Sequence, residues 1–294
     1  MMRRLAHTAA AFAAALLLGA CATGTLTRIA YANAALAYSN LGSMLTWMAD
    51  DYVDLTGAQE DWVRGRIARV LQWHRTQELP KYAAFLETAL GRVDGPIGAQ
   101  DVAELDKALR AHYYRLVERV VPDLAEFLSH VGTDQVAQLE RKFAEDNARF
   151  ARESIKGNPE ERRTKRMHRF IDHLEAWIGP VLAEQRQLIA LHYATLPDFS
   201  QEMLGERRYR QSEIVALVKS PPPAEEMAAQ LRRLLVDAES WRRPEYQEKL
   251  RQRDARVFEM LASLAATLSP AQRAALQKRI RGFIGDIATL AAAN

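Results

Sequence analysis

Apolar side chains recur every three to four residues along nearly the whole of this 294-residue chain, and no run of five or more residues alternates convincingly between apolar and polar. The first spacing places apolar groups on one face of a helix, whereas alternation is typical of a half-buried strand. The sequence therefore predicts an all-α fold, a multi-helix bundle of about ten helices built from helical hairpins.

Prolines and glycines divide this helical pattern into segments. The predicted helices cover residues 36–54, 56–79, a short stretch to 90, 101–121, 134–155, 160–178, 224–241, 245–268 and 270–292. After residue 178, Gly179-Pro180 restarts the helical pattern and Pro197 breaks it again. Pro122 opens either a continuation or a kink of the fourth helix. Pro221-Pro222-Pro223 is the best candidate hinge. We expect a main helical domain over residues 36–220, followed by a hairpin over 224–294 that packs on it or forms a small second domain.

Two of the predicted helices begin with the same short motif. Thr56 and Ser269 each stand three residues before a glutamine, Gln59 and Gln272. In a capping box the hydroxyl accepts a hydrogen bond from the backbone amide three residues on, while the glutamine reaches back to the first backbone amide. A looser version runs from Gly132 to Gln135, and the unequal spacings exclude a solenoid period. We interpret these residues as helix caps.

The stretch from Thr46 to Tyr82 holds three of the five tryptophans and concentrates the polar residues that could carry chemistry. A helical wheel places Arg66, His74 and Glu78 within the apolar face of the second helix. Polar groups on such a face need partners. The expected partners are three acids of the preceding helix, which an antiparallel hairpin would bring alongside: Asp50, Asp51 and Asp54.

Three interpretations of this polar cluster remain open. The first is a buried ion-pair network that fixes the register of the hairpin. The second is a ligand site, in which Arg66 and His74 bind an anion or the aspartates and His74 bind a cation. The third is acid–base catalysis by Asp51, Asp54 and His74. The usual zinc, serine-hydrolase and nucleotide-binding motifs are absent from the sequence, so we predict no catalytic residue, metal or cofactor.

Residues 1–20 have the design of a secretory signal peptide. Arg3 and Arg4 precede a short apolar run, Ala9 to Leu18, which is well below the roughly 20 apolar residues that span a bilayer. We therefore exclude this segment from the fold. Residues 21–35 are mostly small or polar, which is typical of a tether.

The signal peptide ends in Leu18-Gly19-Ala20-Cys21, which resembles the lipobox of bacterial lipoproteins. The resemblance implies cleavage before Cys21, the only cysteine, and acylation of its sulfur and amino group. Several acyl chains on one residue suffice for stable membrane anchoring. Ala22 differs from the aspartate typical of inner-membrane retention, which implies the periplasmic face of the outer membrane.

The overall charge argues against nucleic acid as a partner, and two local basic runs are candidate binding surfaces for anionic partners. Without the signal peptide, 38 basic side chains face 37 acidic ones, so no general attraction to nucleic acid is expected. Two basic runs, residues 162–166 and 207–210, could face anionic lipid, lipopolysaccharide phosphates or an acidic protein. Neighbouring glutamates also allow the simpler interpretation that they are solvated helix faces.

The chain resembles a proteobacterial outer-membrane lipoprotein family of unknown function. The motifs that carry this likeness are densest at the front: Tyr38-Ser39-Asn40-Leu41, Trp47, Asp51 to Thr56, Gln59, Trp73-His74-Arg75, Glu78-Leu79-Pro80, Tyr82, Trp177-Ile178-Gly179, Gln185, Leu196-Pro197-Asp198 and Arg207. It implies a helical, lipid-anchored protein and gives no catalytic residues. The capping motifs also resemble, more locally, the LTxxQ strings of the Spy/CpxP-like periplasmic chaperones.

These observations favour a non-enzymatic periplasmic lipoprotein that binds another envelope component, either a protein or an anionic lipid. A Spy/CpxP-like chaperone or stress sensor is the alternative, and an envelope hydrolase using Asp51, Asp54 and His74 is a third hypothesis. The sequence leaves the oligomeric state open.

Overall fold

The structure, a computed structural model, describes Tyr38 and residues 40–292. The predicted signal peptide, Cys21, the tether and the first residues of the predicted first helix lie outside this part of the chain. Within the described residues, no helix has both the length and the apolar character needed to cross a membrane.

All regular structure in the described residues is helical, which confirms the all-α prediction. A π-helix, His74–Glu78, lies between α2 and α3, and a short 3-10 helix, Ala238–Ser240, follows α9. The α-helices are α1 Leu41–Val53, α2 Gly57–Trp73, α3 Leu79–Gly91, α4 Ala99–Leu128, α5 Thr133–Ser154, α6 Pro159–Ile178, α7 Ala183–Thr195, α8 Ser200–Lys219, α9 Ala224–Leu235, α10 Pro244–Ala266 and α11 Pro270–Ala292.

Two prolines do not break helices in the way proline usually does. The predicted stop before Pro80 is wrong, because the helix passes from α2 through the π-helix into α3, where Pro80 occupies one of the first two positions. A proline cannot donate to the preceding helical turn, and at Pro80 that turn is the π-helix His74–Glu78 and not an α-helical one. Pro122 lies inside α4, so that helix continues to Leu128.

The chain forms two compact units, each assembled from three separate segments. Unit 1 contains the described residues up to Gln77, together with His112–Ser154 and Ser200–Arg242. Unit 2 contains Glu78–Ala111, Ile155–Phe199 and the described residues from Arg243 onward. The sequence prediction of contiguous domains over 36–220 and 224–294 differs from this division, because α8 and α9, on either side of the triple proline, both belong to unit 1.

Unit 1 is built on the hairpin of α1 and α2. α1 also packs against α5, α5 packs against α8, and α8 contacts α9. The most deeply buried side chains come from the second half of α4, from α5 and from α9: Val117, Val121, Leu139, Met227 and Leu231. These helices bury their apolar stripes against one another, as the periodicity predicts.

Unit 2 contains the hairpin of α6 and α7, together with α3, α10 and α11. α11 packs against α3 and α6, and α7 packs against α10. The central apolar cluster consists of Ile171, Ile178, Val181, Ile189, Met260 and Leu264. The cluster draws on α6, α7 and α10, so the α6–α7 hairpin buries its apolar surface against α10.

Candidate functional site

The structure does not assemble the polar cluster that the sequence predicts around Arg66 and His74. α1 and α2 do form an antiparallel hairpin, and Tyr38, before α1, meets His74 at the far end of α2. His74 lies 18 residues after the Thr56 turn, roughly 27 Å along the helix at 1.5 Å per residue. The three aspartates lie at the turn itself. They therefore cannot reach His74, and the predicted pairing is wrong.

Each aspartate instead acts near the tip of the hairpin. Asp50 accepts a hydrogen bond from the backbone N–H of Leu55 at 2.9 Å. Asp51 forms an ion pair with Lys142 of α5. Asp54 caps α1 in the left-handed conformation, with φ of 51°. These contacts close the turn and tie α1 to α5.

Arg66 pairs with α4 and not with α1. Its Nη1 atom donates to Asp123 Oδ1 at 2.8 Å, and its Nη2 atom lies 2.9 Å from Glu126 Oε2. The guanidinium carbon also lies 4.6 Å from the ring centroid of Trp62. Arg66 is therefore part of a partly exposed ion-pair network that joins α2 to α4, and not of a buried network within the α1–α2 hairpin.

His74 and Glu78 are both buried, and their contacts include Tyr38 and Lys81 respectively. The Tyr38 hydroxyl lies 3.1 Å from His74 Nδ1 and donates to the carbonyl of Leu71 at 3.0 Å. Glu78 Oε1 accepts from Lys81 Nζ at 2.6 Å. Burial raises the pKa of Tyr38 to about 12, so its phenol stays protonated as a donor. The geometry brings neither Asp51 nor Asp54 to His74.

A different buried ionic network, centred on Asp146, escaped the sequence prediction. Asp146 lies on the apolar face of α5 with 2% of its surface exposed. It accepts hydrogen bonds from the Tyr52 hydroxyl and from Arg149, and Arg207 of α8 lies 3.8 Å from it. This network joins α1, α5 and α8 in the core of unit 1. An acid three residues after Phe143, within an apolar stripe, was the signal that could have found it.

Arg207 is buried and extends the network along α8. Its Nε atom donates to Asn147 Oδ1 at 2.9 Å, and Asn147 Nδ2 donates to Gln211 Oε1 at 2.7 Å. Buried charges are stabilising only when they are paired and hydrogen-bonded. Arg207, the first arginine of the basic run 207–210, is therefore buried and paired inside unit 1.

Both predicted capping boxes are present, and the structure adds a long-range contact between capping glutamines. In unit 1, Gln59 Nε2 donates to Gln135 Oε1 at 3.1 Å, and Gln135 Nε2 donates back to Gln59 Oε1 at 2.7 Å. The same amide groups reach the carbonyls of His130 and Asp54 at 3.5 and 3.0 Å. We call this pair the unit 1 clasp. It joins the tip of the α1–α2 hairpin to the tip of the α4–α5 hairpin.

Unit 2 contains the same arrangement, the unit 2 clasp. Gln185 and Gln272 exchange Nε2–H···Oε1 hydrogen bonds at 2.9 and 3.0 Å. Gln185 Nε2 also donates to the carbonyl of Thr267 at 3.1 Å, and Gln272 Nε2 to that of Pro180 at 2.8 Å. It joins the tip of the α6–α7 hairpin to the turn between α10 and α11.

The two clasps follow one rule of spacing. Each glutamine oxygen accepts from the backbone N–H three residues earlier in its own chain segment, at Thr56, Gly132, Leu182 and Ser269. Each glutamine nitrogen reaches the carbonyl five residues before its partner glutamine. Both amide hydrogens and both acceptor sites of every glutamine are therefore used. Each clasp thus has a local two-fold pattern.

The basic run on α6 is largely paired within unit 2. Arg162 and Arg166 both bind Asp198, at 3.0 and 3.3 Å. Arg163 pairs with Glu160 and also donates to the carbonyl of Ala194. These three arginines are therefore ion-paired and partly buried, and are not simply solvated.

The described residues hold no group of three or more His, Cys, Asp or Glu side chains placed to bind a metal ion. Unit 2 has a shallow surface groove of about 430 Å³ between α7 and α10. Its lining is mixed in character and consists of Leu191, His192, Thr195, Arg256 and Glu259.

Residues 51–247 match the model of a family of unknown function, DUF6279. The chain belongs to this family. No curated protein and no solved structure matches the chain. The DUF6279 region contains both glutamines of the unit 1 clasp and Gln185 of the unit 2 clasp, whereas Gln272 lies beyond its end.

Proposed function

We propose that the protein is a lipoprotein, anchored through acylated Cys21 to the periplasmic face of the outer membrane, that binds another envelope component without catalysing a reaction. The observation that carries the anchor is Leu18-Gly19-Ala20-Cys21 at the end of a short apolar segment. The structure supports the binding role indirectly, because Asp51, Arg66 and His74 contact different helices and form no common site.

The anchor is tested by fractionating cells that express the protein with Cys21→Ser. We expect the unmodified protein in the outer-membrane fraction and the variant in the soluble periplasmic fraction. A matched variant, Ala22→Asp, keeps the acylated cysteine and should move the protein to the inner membrane. If Cys21→Ser stays in the outer-membrane fraction, the lipoprotein proposal is wrong.

The binding role is tested by crosslinking in intact cells. A photoreactive residue at an exposed position, such as 47 or 191, should yield one dominant crosslinked envelope component. The same residue at an ion-paired position of the α6 run, such as 162, serves as the control. Equal, diffuse crosslinking from all three positions would contradict a specific partner.

A Spy/CpxP-like chaperone is the second candidate, and the clasps favour it. The four capping glutamines, of which Gln59 belongs to an LTxxQ string, form two hydrogen-bonded pairs in the structure. The motifs that resemble those of LTxxQ proteins therefore make specific contacts between helices. Trp47 and Leu191, exposed by 63% and 72%, are apolar groups that a client could contact. Suppression of the aggregation of a chemically denatured client would support this function, and its absence at molar excess would exclude it.

A further inference from the structure

Three arginines in the second basic run have different environments on α8. Arg207 is buried within the Asp146 network, Arg208 is exposed, and Arg210 is partly buried. Arg210 makes no hydrogen bond to the described residues, and none of their carboxylates lies within the 4.0 Å of an ion pair. By contrast, Arg66, Arg207 and Arg242, also of unit 1, all have recorded acidic partners.

The carboxylate that would be expected to pair with Arg210 is already occupied. Glu206 precedes Arg210 by four residues, the spacing at which side chains of a helix meet. Glu206 accepts instead from Nε of Arg242. Two guanidinium groups, those of Arg210 and Arg242, therefore lie near the one carboxylate of Glu206.

The pKa of Arg210 agrees with the absence, among the described residues, of a carboxylate within ion-pair distance of its side chain. Burial lowers the pKa of Arg210, and the charges of Arg242 and Arg207 lower it further, against the opposing effects of Tyr113 and Glu206. A partly buried charge without a paired counter-charge is unfavourable in a folded protein.

Aromatic side chains flank the same part of α8. Tyr209, 38% exposed, lies next to Trp241, with 5.1 Å between ring centroids. The guanidinium of Arg242 lies 5.8 Å from the Trp241 ring. Tyrosine, tryptophan and arginine are the side chains most enriched at energetically important binding positions. Trp241 therefore lies beside both Tyr209 and Arg242, and Arg242 is one of the charges near Arg210.

We propose that Arg210, on α8 near Glu206 and Arg242, binds an oxyanion, either a phosphate or a carboxylate group of a ligand. A guanidinium presents parallel N–H groups that match the two oxygens of either group. The anion would supply the counter-charge that Glu206 gives to Arg242. This site does not depend on the lipid anchor.

The test uses the mature chain with Cys21→Ser, titrated with inorganic phosphate or acetate against chloride at constant ionic strength. We expect phosphate or acetate to raise the melting temperature of this protein and of Arg208→Gln, but not of Arg210→Gln. The two variants remove one charge each from the same helix, so general screening would affect them equally. An effect of phosphate alone identifies a phosphate site, and an effect of acetate alone a carboxylate site.

Stability without added anion separates this role from a structural one. Removing an unpaired charge should leave Arg210→Gln at least as stable as the parent protein in chloride. A loss of melting temperature in chloride, equal responses of the two variants, or no response of the parent to either anion would overturn the proposal. The indole N–H resonance of Trp241, followed in the parent protein, gives a second readout that needs no variant.

Discussion

The unit 2 clasp should contribute much more to stability than the unit 1 clasp, although the hydrogen bonds are the same. Gln185 and Gln272 are 0% and 5% exposed, whereas Gln59 and Gln135 are only partly buried. Gln185→Ala leaves the N–H of Leu182, the carbonyl of Thr267 and the amide of Gln272 without that partner. At about 1–3 kcal/mol for each buried unsatisfied group, we expect a loss of roughly 3–5 kcal/mol.

The same substitution in unit 1 should cost far less. In Gln59→Ala, water can reach the groups that lose the glutamine, so the cost should be about 1 kcal/mol, as for an ordinary lost cap. Urea unfolding, followed by circular dichroism and tryptophan fluorescence, measures both values. Gln187→Ala, an exposed glutamine on the same helix as Gln185, is the control and should change stability by less than about 0.5 kcal/mol.

Hydrogen exchange locates the effect within the molecule. The backbone amides of Leu182 and Ser269 donate to the clasp, so both should lose protection in Gln185→Ala. The double variant with Gln272→Ala should cost less than the sum of the two single changes, because the shared bonds are lost only once. Equal costs for Gln59→Ala and Gln185→Ala, or strict additivity within the pair, would refute this reasoning.

Two further predictions concern unit 1. Asp146→Ala leaves the buried Arg207 without its counter-charge and should lower the free energy of unfolding by about 3–5 kcal/mol. Lys219→Ala, the control, breaks an exposed ion pair and should lower it by less than about 1 kcal/mol. Similar costs for the two variants in urea unfolding would contradict the buried network. Burial raises the pKa of Tyr113 to about 12. Because its unfolded value is about 10, its contribution is complete below pH 10 and is lost as the pH rises to 12. Unfolding across that range should therefore be less pH-dependent in Tyr113→Phe than in the parent, and an unchanged dependence would exclude Tyr113 as a cause.

Local rules predicted the helix caps but not what the capping glutamines do next. Thr56 with Gln59 follows a capping pattern whose contacts span three residues. The partners Gln135 and Gln272 lie 76 and 87 residues from Gln59 and Gln185, a separation that no local pattern encodes. Gln185 was also missed as a cap because Leu182, three residues earlier, has no hydroxyl to complete the motif.

The error over the polar cluster has a simple geometric source. The helical wheel gives the direction of a side chain around the axis and omits its position along the axis. Arg66 does point away from solvent toward an acidic partner, as the wheel indicates. The acids that lie beside Arg66 along the axis of α2 are Asp123 and Glu126 of α4. They could be predicted as its partners only once α4 was known to be the neighbouring helix.

Each unit is assembled from separate segments of the chain, which constrains how the protein can fold during its synthesis. Unit 1 lacks its last helix until residues near Arg242 are available, and the clasp of unit 2 cannot form before Gln272. Contacts between distant segments slow folding because long loops must close first. A chain cut at the end of the DUF6279 region would keep Gln185 but lose its partner. C-terminal trimming should therefore expose unit 2 to proteolysis before unit 1.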